Sequence, residues 1–145
     1  MAGKIRGNKV INGTFGAVWV NGEKWMDVES FEAKVAVDYE DVNMAGDLAT
    51  YKKMTGWSGE GSLTVKKVYS RGAALMANAV KTGILPEVGL VGKLADPDAF
   101  GSERVAINDV TFNEFTLMSF EQKTLANEEL PFNFADYDAI DLITA

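Results

Sequence analysis

The sequence contains no cysteine and no histidine among its 145 residues. Without cysteine the chain has no disulfide framework, no thiolate nucleophile and no cysteine-ligated metal site. Without histidine it cannot build a Ser-His-Asp or Cys-His catalytic centre, a histidine-ligated zinc or an imidazole proton shuttle. Any catalysis would depend on carboxylates, lysine, tyrosine, hydroxyl groups or a bound cofactor. We therefore expect a protein that is not an enzyme and that uses no metal and no cofactor.

Long apolar runs are also missing, so no segment of about 18 apolar residues could span a membrane as a helix. Residues 1–9 are basic and contain glycine, with no long apolar stretch after them, and this does not resemble a secretory signal. We expect assembly in the cytoplasm and no membrane partner.

The charge balance is negative. The net charge is −7, opposite in sign to that of a protein that wraps a phosphate backbone. Most of the excess lies between Glu121 and Ala145, where six acidic residues stand against Lys123 alone. The simplest interpretation of this segment is a loose, solvated tail.

Apolar residues that alternate along the chain predict the fold class. Phe31, Ala33, Val35, Val37 and Tyr39 lie at every second position, the period of a β-strand. The chain has the length of a single domain, which we place at residues 1–145. Together these features predict a mainly β protein, an antiparallel β sandwich or barrel.

Local signals place a hairpin, a bulge and a single helix. Asn21-Gly22 predicts a two-residue hairpin turn. The apolar phase changes from even to odd positions near Glu29-Ser30, which predicts either a bulge or a strand that passes from one sheet to another. Ser70 as N-cap and Gly83 just past the end predict one α-helix between them.

The least regular stretch is residues 41–61, which we interpret as a long loop that serves binding or assembly. The two terminal segments are expected to be loose tails. The apolar pattern from Val105 to Leu117 predicts one long or broken strand pair around Asn113-Glu114.

Several residue patterns resemble functional motifs without completing them. The glycines lack the Gly-Lys-Ser/Thr ending of a phosphate loop, and the C-terminal aspartates lack the glycine and the glutamate of a calcium loop. Lysines beside aromatic residues would suit single-stranded nucleic acid, but the chain is acidic. No two carboxylates are placed as a glycosidase pair. The glycines are Gly56, Gly59 and Gly61, and the C-terminal aspartates are Asp136, Asp138 and Asp141. The lysines are Lys52, Lys53, Lys66 and Lys67, beside Tyr51, Trp57 and Tyr69. The candidate carboxylates for a glycosidase pair are Asp38, Glu40, Asp41, Glu128 and Glu129.

Seven short segments carry a resemblance to a known family. The most specific is residues 128–137, with the pattern Glu-Glu-Leu-Pro-Phe-x-Phe-x-Asp-Tyr. The others are Val20–Glu23, Phe31–Ala33, Lys52–Gly61, Lys66–Ser70, Ser102–Val105 and Asp109–Phe112. In this order, and over nearly the whole chain, they resemble the XkdM-like tail tube proteins of contractile-tailed phages and PBSX-like prophages.

The resemblance implies a structural protein of a virion tail. Such proteins look like a small β barrel flanked by a helix, and six copies form a ring whose inner strands close a shared barrel. Stacked rings make a hollow tube inside a contractile sheath, with tape-measure and baseplate proteins as further partners. The tube conducts DNA without binding it specifically, whereas in tail-like bacteriocins it carries none.

Within that framework we assign two sets of residues. The charged face of the strand from Phe31 to Tyr39 would face the lumen, because an acidic wall repels phosphates and lets DNA slide. The lumen-facing residues would be Glu32, Asp38 and Glu40. The loop residues that dock on a neighbouring subunit or ring would be Met44, Tyr51, Met54 and Trp57.

An alternative interpretation is a monomeric β-barrel carrier of a small apolar ligand. It requires a continuous apolar interior with free space. A carboxylate-based enzyme would require two acids with perturbed pKa values in one pocket.

Overall fold

The protein forms a seven-stranded antiparallel sheet with one α-helix, in a computed structural model that describes residues 6–144. The strand order is β2-β1-β5-β6-β7-β4-β3. This confirms the predicted fold class. The elements are two short 3-10 helices, Gly7–Lys9 and Gly13–Phe15, then β1 (Gly16–Val20), β2 (Glu23–Lys24), β3 (Val28–Asn43), β4 (Thr50–Lys66), α1 (Arg71–Thr82), β5 (Leu90–Leu94), β6 (Glu103–Phe112) and β7 (Asn127–Asp141).

The three local signals read from the sequence are confirmed. Asn21 and Gly22 have φ values of 50° and 85° and join β1 to β2. The register of β3 on β4 shifts between Val28 and Ser30. Gly83 ends α1 with φ at 76°, and its N–H donates to Ala79 O at 2.8 Å. Positive φ at these positions explains the glycines.

The sheet curls until β3 lies over β5. Phe31 of β3 stacks on Phe132 of β7, with the ring centroids 6.1 Å apart. A Cβ at Gly92 of β5 would lie 2.9 Å from Phe31 Cε1. The interior between these layers is filled, and its most buried apolar side chains are Phe132, Leu63, Leu90, Ile107, Leu130 and Val65.

The expectation of a long loop at residues 41–61 is wrong. β3 continues to Asn43 and β4 begins at Thr50, so only residues 44–49 connect them. The glycines that made the stretch look like a loop are seats for aromatic rings: a Cβ at Gly59 would lie 2.6 Å from Phe134 Cζ, and one at Gly61 would lie 2.7 Å from Phe132 Cζ. A bulge at Thr55, where Asp38 pairs with Gly56 and Tyr39 with Met54, hides the alternation.

The C-terminal segment is also not a loose tail. Residues 127–134 of β7 pair with β4, and the strand continues alongside β6. Near its end, Asp141 Oδ2 lies 3.3 Å from Arg104 Nε. The strand pair predicted around Asn113-Glu114 is wrong beyond Phe112. β6 ends at Phe112, and residues 113–126 form a long connection that we call the β6–β7 loop.

The described part of the N-terminal segment is attached to the fold. The backbone N–H of Asn12 donates to Asp96 Oδ2 at 2.9 Å, and Lys9 Nζ lies 3.2 Å from Asp98 Oδ1. The expectation of a loose N-terminal tail otherwise falls on residues 1–5, which lie outside the described residues.

Candidate assembly surface

The β3–β4 hairpin extends beyond the rest of the sheet. β4 pairs with β7 only between Gly59 and Lys66, so among the described residues 36–43 and 50–58 pair only with each other. We call residues 35–58 the arm and residues 44–49 its tip. Every residue from Glu32 to Thr55 is exposed. An isolated two-stranded hairpin is only marginally stable in water. The arm also leaves two faces and two strand edges uncovered, and these are available for contact.

One face of the β3–β4 hairpin, from Glu32 into the arm, is acidic. Glu32, Asp38 and Glu40 all lie on the same side of β3, because each is an even number of residues from the next. Lys34 shares this side, and its Nζ lies 3.9 Å from Glu32 Oε1 and 3.5 Å from Glu60 Oε1. The structure therefore brings the three predicted lumen residues onto one polar surface.

This acidic face continues over the neighbouring strands. Glu60 is directly opposite Lys34, and Glu129 is opposite Thr64, which in turn pairs with Ser30. Directly paired residues share a face, so both glutamates belong to it. Sequence reasoning missed them because their position depends on the strand register. The alternation of Ser58, Glu60 and Ser62 was the available signal.

The opposite face of the arm is apolar toward its base, and the Asp41–Lys52 ion pair follows on the same side near the tip. Val35, Val37 and Tyr39 stand opposite Gly59, Trp57 and Met54. This face continues the buried side of the sheet past the layer that covers it. Val37 is 39% exposed and Tyr39 is 59% exposed. An uncovered apolar strip of this kind marks an interaction surface.

Trp57 anchors the base of the arm where β4 separates from β7. Its ring centroid lies 6.3 Å from that of Phe134 and 5.7 Å from that of Tyr137, the second contact edge-on. Geometries of this kind stabilise by about 0.5–1.5 kcal/mol per pair. Trp57 therefore holds the arm to the sheet and remains partly available to a partner.

The tip has its own internal hydrogen bonds. The Tyr51 hydroxyl donates to Asp47, and the Ala49 N–H donates to the same carboxylate at 3.0 Å. The hydrogen bond from Tyr51 lowers the pKa of Asp47, and the bond from the Ala49 N–H lowers it further. The Tyr51–Asp47 bond also raises the pKa of Tyr51. These bonds hold the turn in one conformation.

The four predicted docking residues do not form one patch. Met54 and Trp57 lie on the apolar face, whereas Tyr51 pairs with Val42 on the acidic side, close to the tip. Met44 begins the tip itself and is 56% exposed.

An ion pair between buried Glu128 and partly exposed Lys67 lies beside the start of α1. Glu128 is 1% exposed, and its Oε2 accepts from Lys67 Nζ at 3.0 Å. A side chain at Gly72 would collide with Glu128 and would lie 2.8 Å from Leu130 Cδ2. Glu128 therefore helps to seat α1 on β7 instead of forming part of a solvated tail.

The described residues supply little for chemistry. Within residues 6–144, no group of three or more acidic side chains is arranged to hold a metal ion. In the same range, no helix has the length and apolar character needed to cross a bilayer.

Comparisons with known proteins agree with this geometry. The family model described as "Phage tail tube protein" matches residues 3–141. The phage-like element PBSX protein XkdM of Bacillus subtilis (strain 168) is 35% identical over 136 residues, which cover 92% of each chain. A chain of the sheath–tube complex of the extracellular contractile injection system PVC, in its extended state, has a similar fold, with a TM-score of 0.70, 13% identity, and coverage of 90% of this chain and 92% of that one. A chain in the tail of an empty gene transfer agent particle, refined with C6 symmetry, gives a TM-score of 0.53 at 14% identity, over 90% and 98% of the two chains.

Proposed function

Because this chain belongs to the phage tail tube protein family, we propose that six copies of it close into a ring and that the rings stack into the hollow tube of a contractile tail. The family is a structural one, and the protein is a tail tube subunit. The sixfold number is supported by the C6 symmetry of the gene transfer agent tail, whose chain shares the fold. A catalytic role forms no part of the proposal.

The arm carries this proposal. An exposed two-stranded extension with an apolar face gains stability when a neighbouring copy covers it. β3 is the last strand of the sheet, so within residues 6–144 one edge of its 16 residues has no strand partner. Closing a ring pairs or covers such edges and so prevents uncontrolled association.

The acidic face would line the bore. Glu32, Asp38 and Glu40, together with Glu60 and Glu129, repeat around the ring and outnumber Lys34 and Lys53 on the same face, which gives a wall of net negative charge. Such a wall repels phosphates, so that DNA passes without specific binding. In a tail-like bacteriocin the same bore would carry no DNA.

The remaining partners follow from the place of the tube in a tail. The outer surface would meet the sheath, the ends of the tube would meet the baseplate, and a tape-measure protein would set its length. The protein would be assembled in the host cytoplasm and would reside in the virion tail. Met44, Tyr51, Met54 and Trp57 would contact neighbouring subunits or rings.

A small-ligand carrier needs a hollow interior. Here Phe132, Leu63, Leu90 and Ile107 are each under 2% exposed and fill the space between the layers. The filled interior favours the tube subunit over the carrier.

Two variants at adjacent positions of the arm test the proposal. Val37→Asn places an amide on the apolar face, and Ala36→Asn places the same group on the acidic face. Both positions are exposed in the single chain, so neither variant should change the free energy of unfolding by more than about 0.5 kcal/mol. By negative-stain electron microscopy, the unmodified protein and Ala36→Asn should form rings and tubes, whereas Val37→Asn should lose them. Equal assembly of both variants would contradict the role of the apolar face.

A further inference from the structure

The structure carries a second exposed apolar patch, in the β6–β7 loop. Its large apolar side chains are almost fully in solvent: Leu117, Met118, Phe120 and Leu125 are 75–91% exposed. Phe115 anchors the loop, since it packs against the core and lies beside Gly72 of α1. The loop is thus held in place at one end while it presents apolar groups outward.

The patch lies at the end of the sheet opposite the tip of the arm. The β6–β7 loop joins β7 at Asn127, which pairs with Lys66, the last residue of β4. The tip precedes Thr50, the first residue of β4. Sixteen strand steps separate these two rows, which is about 50 Å at ~3.3 Å per residue. No side chain of the tip can reach the β6–β7 loop of its own chain.

Residues 115–120 of the loop patch and the tip of the arm can both be buried without leaving a charged group unpaired. Residues 115–120 contain no charged side chain. The tip has a single one, Asp47, whose carboxylate already accepts bonds from Tyr51 and Ala49. At the outermost point of the tip, Leu48 is fully exposed. Burying such surfaces gains the hydrophobic contribution without the desolvation cost of an unpaired ion.

We propose that the tip of one copy, led by Leu48 and Met44, docks on the β6–β7 loop of a second copy in the next ring, at Leu117, Met118 and Phe120. Two different patches at opposite ends of one molecule make a head-to-tail contact, which repeats without closing on itself. This is the geometry that a stack of rings requires. The inference rests on the proposed tube and names the surfaces that join its rings.

The absence of cysteine allows a direct test by cross-linking. One chain carries Leu48→Cys, and a second carries Phe120→Cys. The control partner carries Phe100→Cys, which replaces the same residue type at a similar exposure of 70% but lies between β5 and β6, at the end of the sheet opposite the β6–β7 loop. The mixed chains are assembled into tubes and oxidised, and the products are identified by intact mass. A disulfide forms only where the two Cα atoms come within about 7 Å.

We expect a Leu48→Cys/Phe120→Cys heterodimer in at least tenfold excess over the Leu48→Cys/Phe100→Cys product. Tubes that form but give no such excess would overturn the docking contact and leave the tube intact. If the unmodified protein forms no tubes by electron microscopy and the cysteine chains give no heterodimer, both the tube and the contact are contradicted.

Discussion

Gly59 and Gly61 lie on β4 where two aromatic rings of β7 cross it. Because the glycines have no side chains, the rings of Phe134 and Phe132 pack directly against the β4 backbone. A Cβ at Gly59 or Gly61 would lie less than 3.0 Å from these rings, closer than real Cβ contacts. These two contacts join the β3–β4 hairpin to the core and fix where the arm begins. Their role could not be predicted from the sequence, because the glycine pattern of a loop and that of a ring seat are the same until the register is known.

We predict that Gly59→Ala lowers the free energy of unfolding by about 1–3 kcal/mol, since the added methyl group overpacks the Phe134 ring. Gly56→Ala is the matched control on the same strand, because its Cβ would lie 3.8 Å from Asp38 Oδ2, an ordinary contact. That variant should change stability by no more than about 0.5 kcal/mol. Urea denaturation measures both, and equal values would show that Gly59 is not a ring seat.

At the scale of elements, local signals were predictable and long-range ones were not. The Asn21-Gly22 turn, the bulge before Ser30 and the end of α1 at Gly83 each depend on a few neighbouring residues. The alternation of Glu32 to Glu40 likewise placed three acids on one face of β3. The length of β4 and the membership of Glu60 and Glu129 depend on pairing between distant strands, which one strand's pattern does not encode.

The arm makes a measurable prediction of its own. In the isolated chain, backbone amides of residues 36–43 and 50–58 should exchange with deuterium at least about 100-fold faster than those of residues 128–134, because both faces of the arm are in solvent. After assembly the arm should reach the protection of the core. An arm that is as protected in the single chain as the core, or one that stays unprotected in the tube, would be inconsistent with its role as an interface.

At the scale of the whole molecule, the distribution of charge matters more than its total. Five acids lie on the outer face of β3, β4 and β7, namely Glu32, Asp38, Glu40, Glu60 and Glu129, whereas the buried Glu128 is paired with Lys67. The negative excess between Glu121 and Ala145 was visible in the sequence. Its incorporation into a central strand was not, because β7 is held by two partners that lie far away in the chain.

Charge reversal on the acidic face should turn a wall that repels DNA into one that binds it. Tubes of Asp38→Lys/Glu40→Lys should retain DNA in a salt-dependent way, whereas unmodified tubes should not. Glu87→Lys/Glu103→Lys makes the same change in net charge at two exposed positions outside β3 and β4. Co-sedimentation with a short DNA duplex measures retention. Equal retention by the two variants would show that the effect follows net charge and not the bore.

A cryo-electron microscopy reconstruction of the assembled protein tests the central claim most directly. We predict a hollow tube of sixfold rings in which the Glu32, Asp38 and Glu40 side of β3 faces the bore and the apolar face of the arm, with Val37 and Tyr39, is covered by a neighbouring copy. A protein that stays monomeric at high concentration, or a tube in which Val37 and Tyr39 face solvent, would contradict the account.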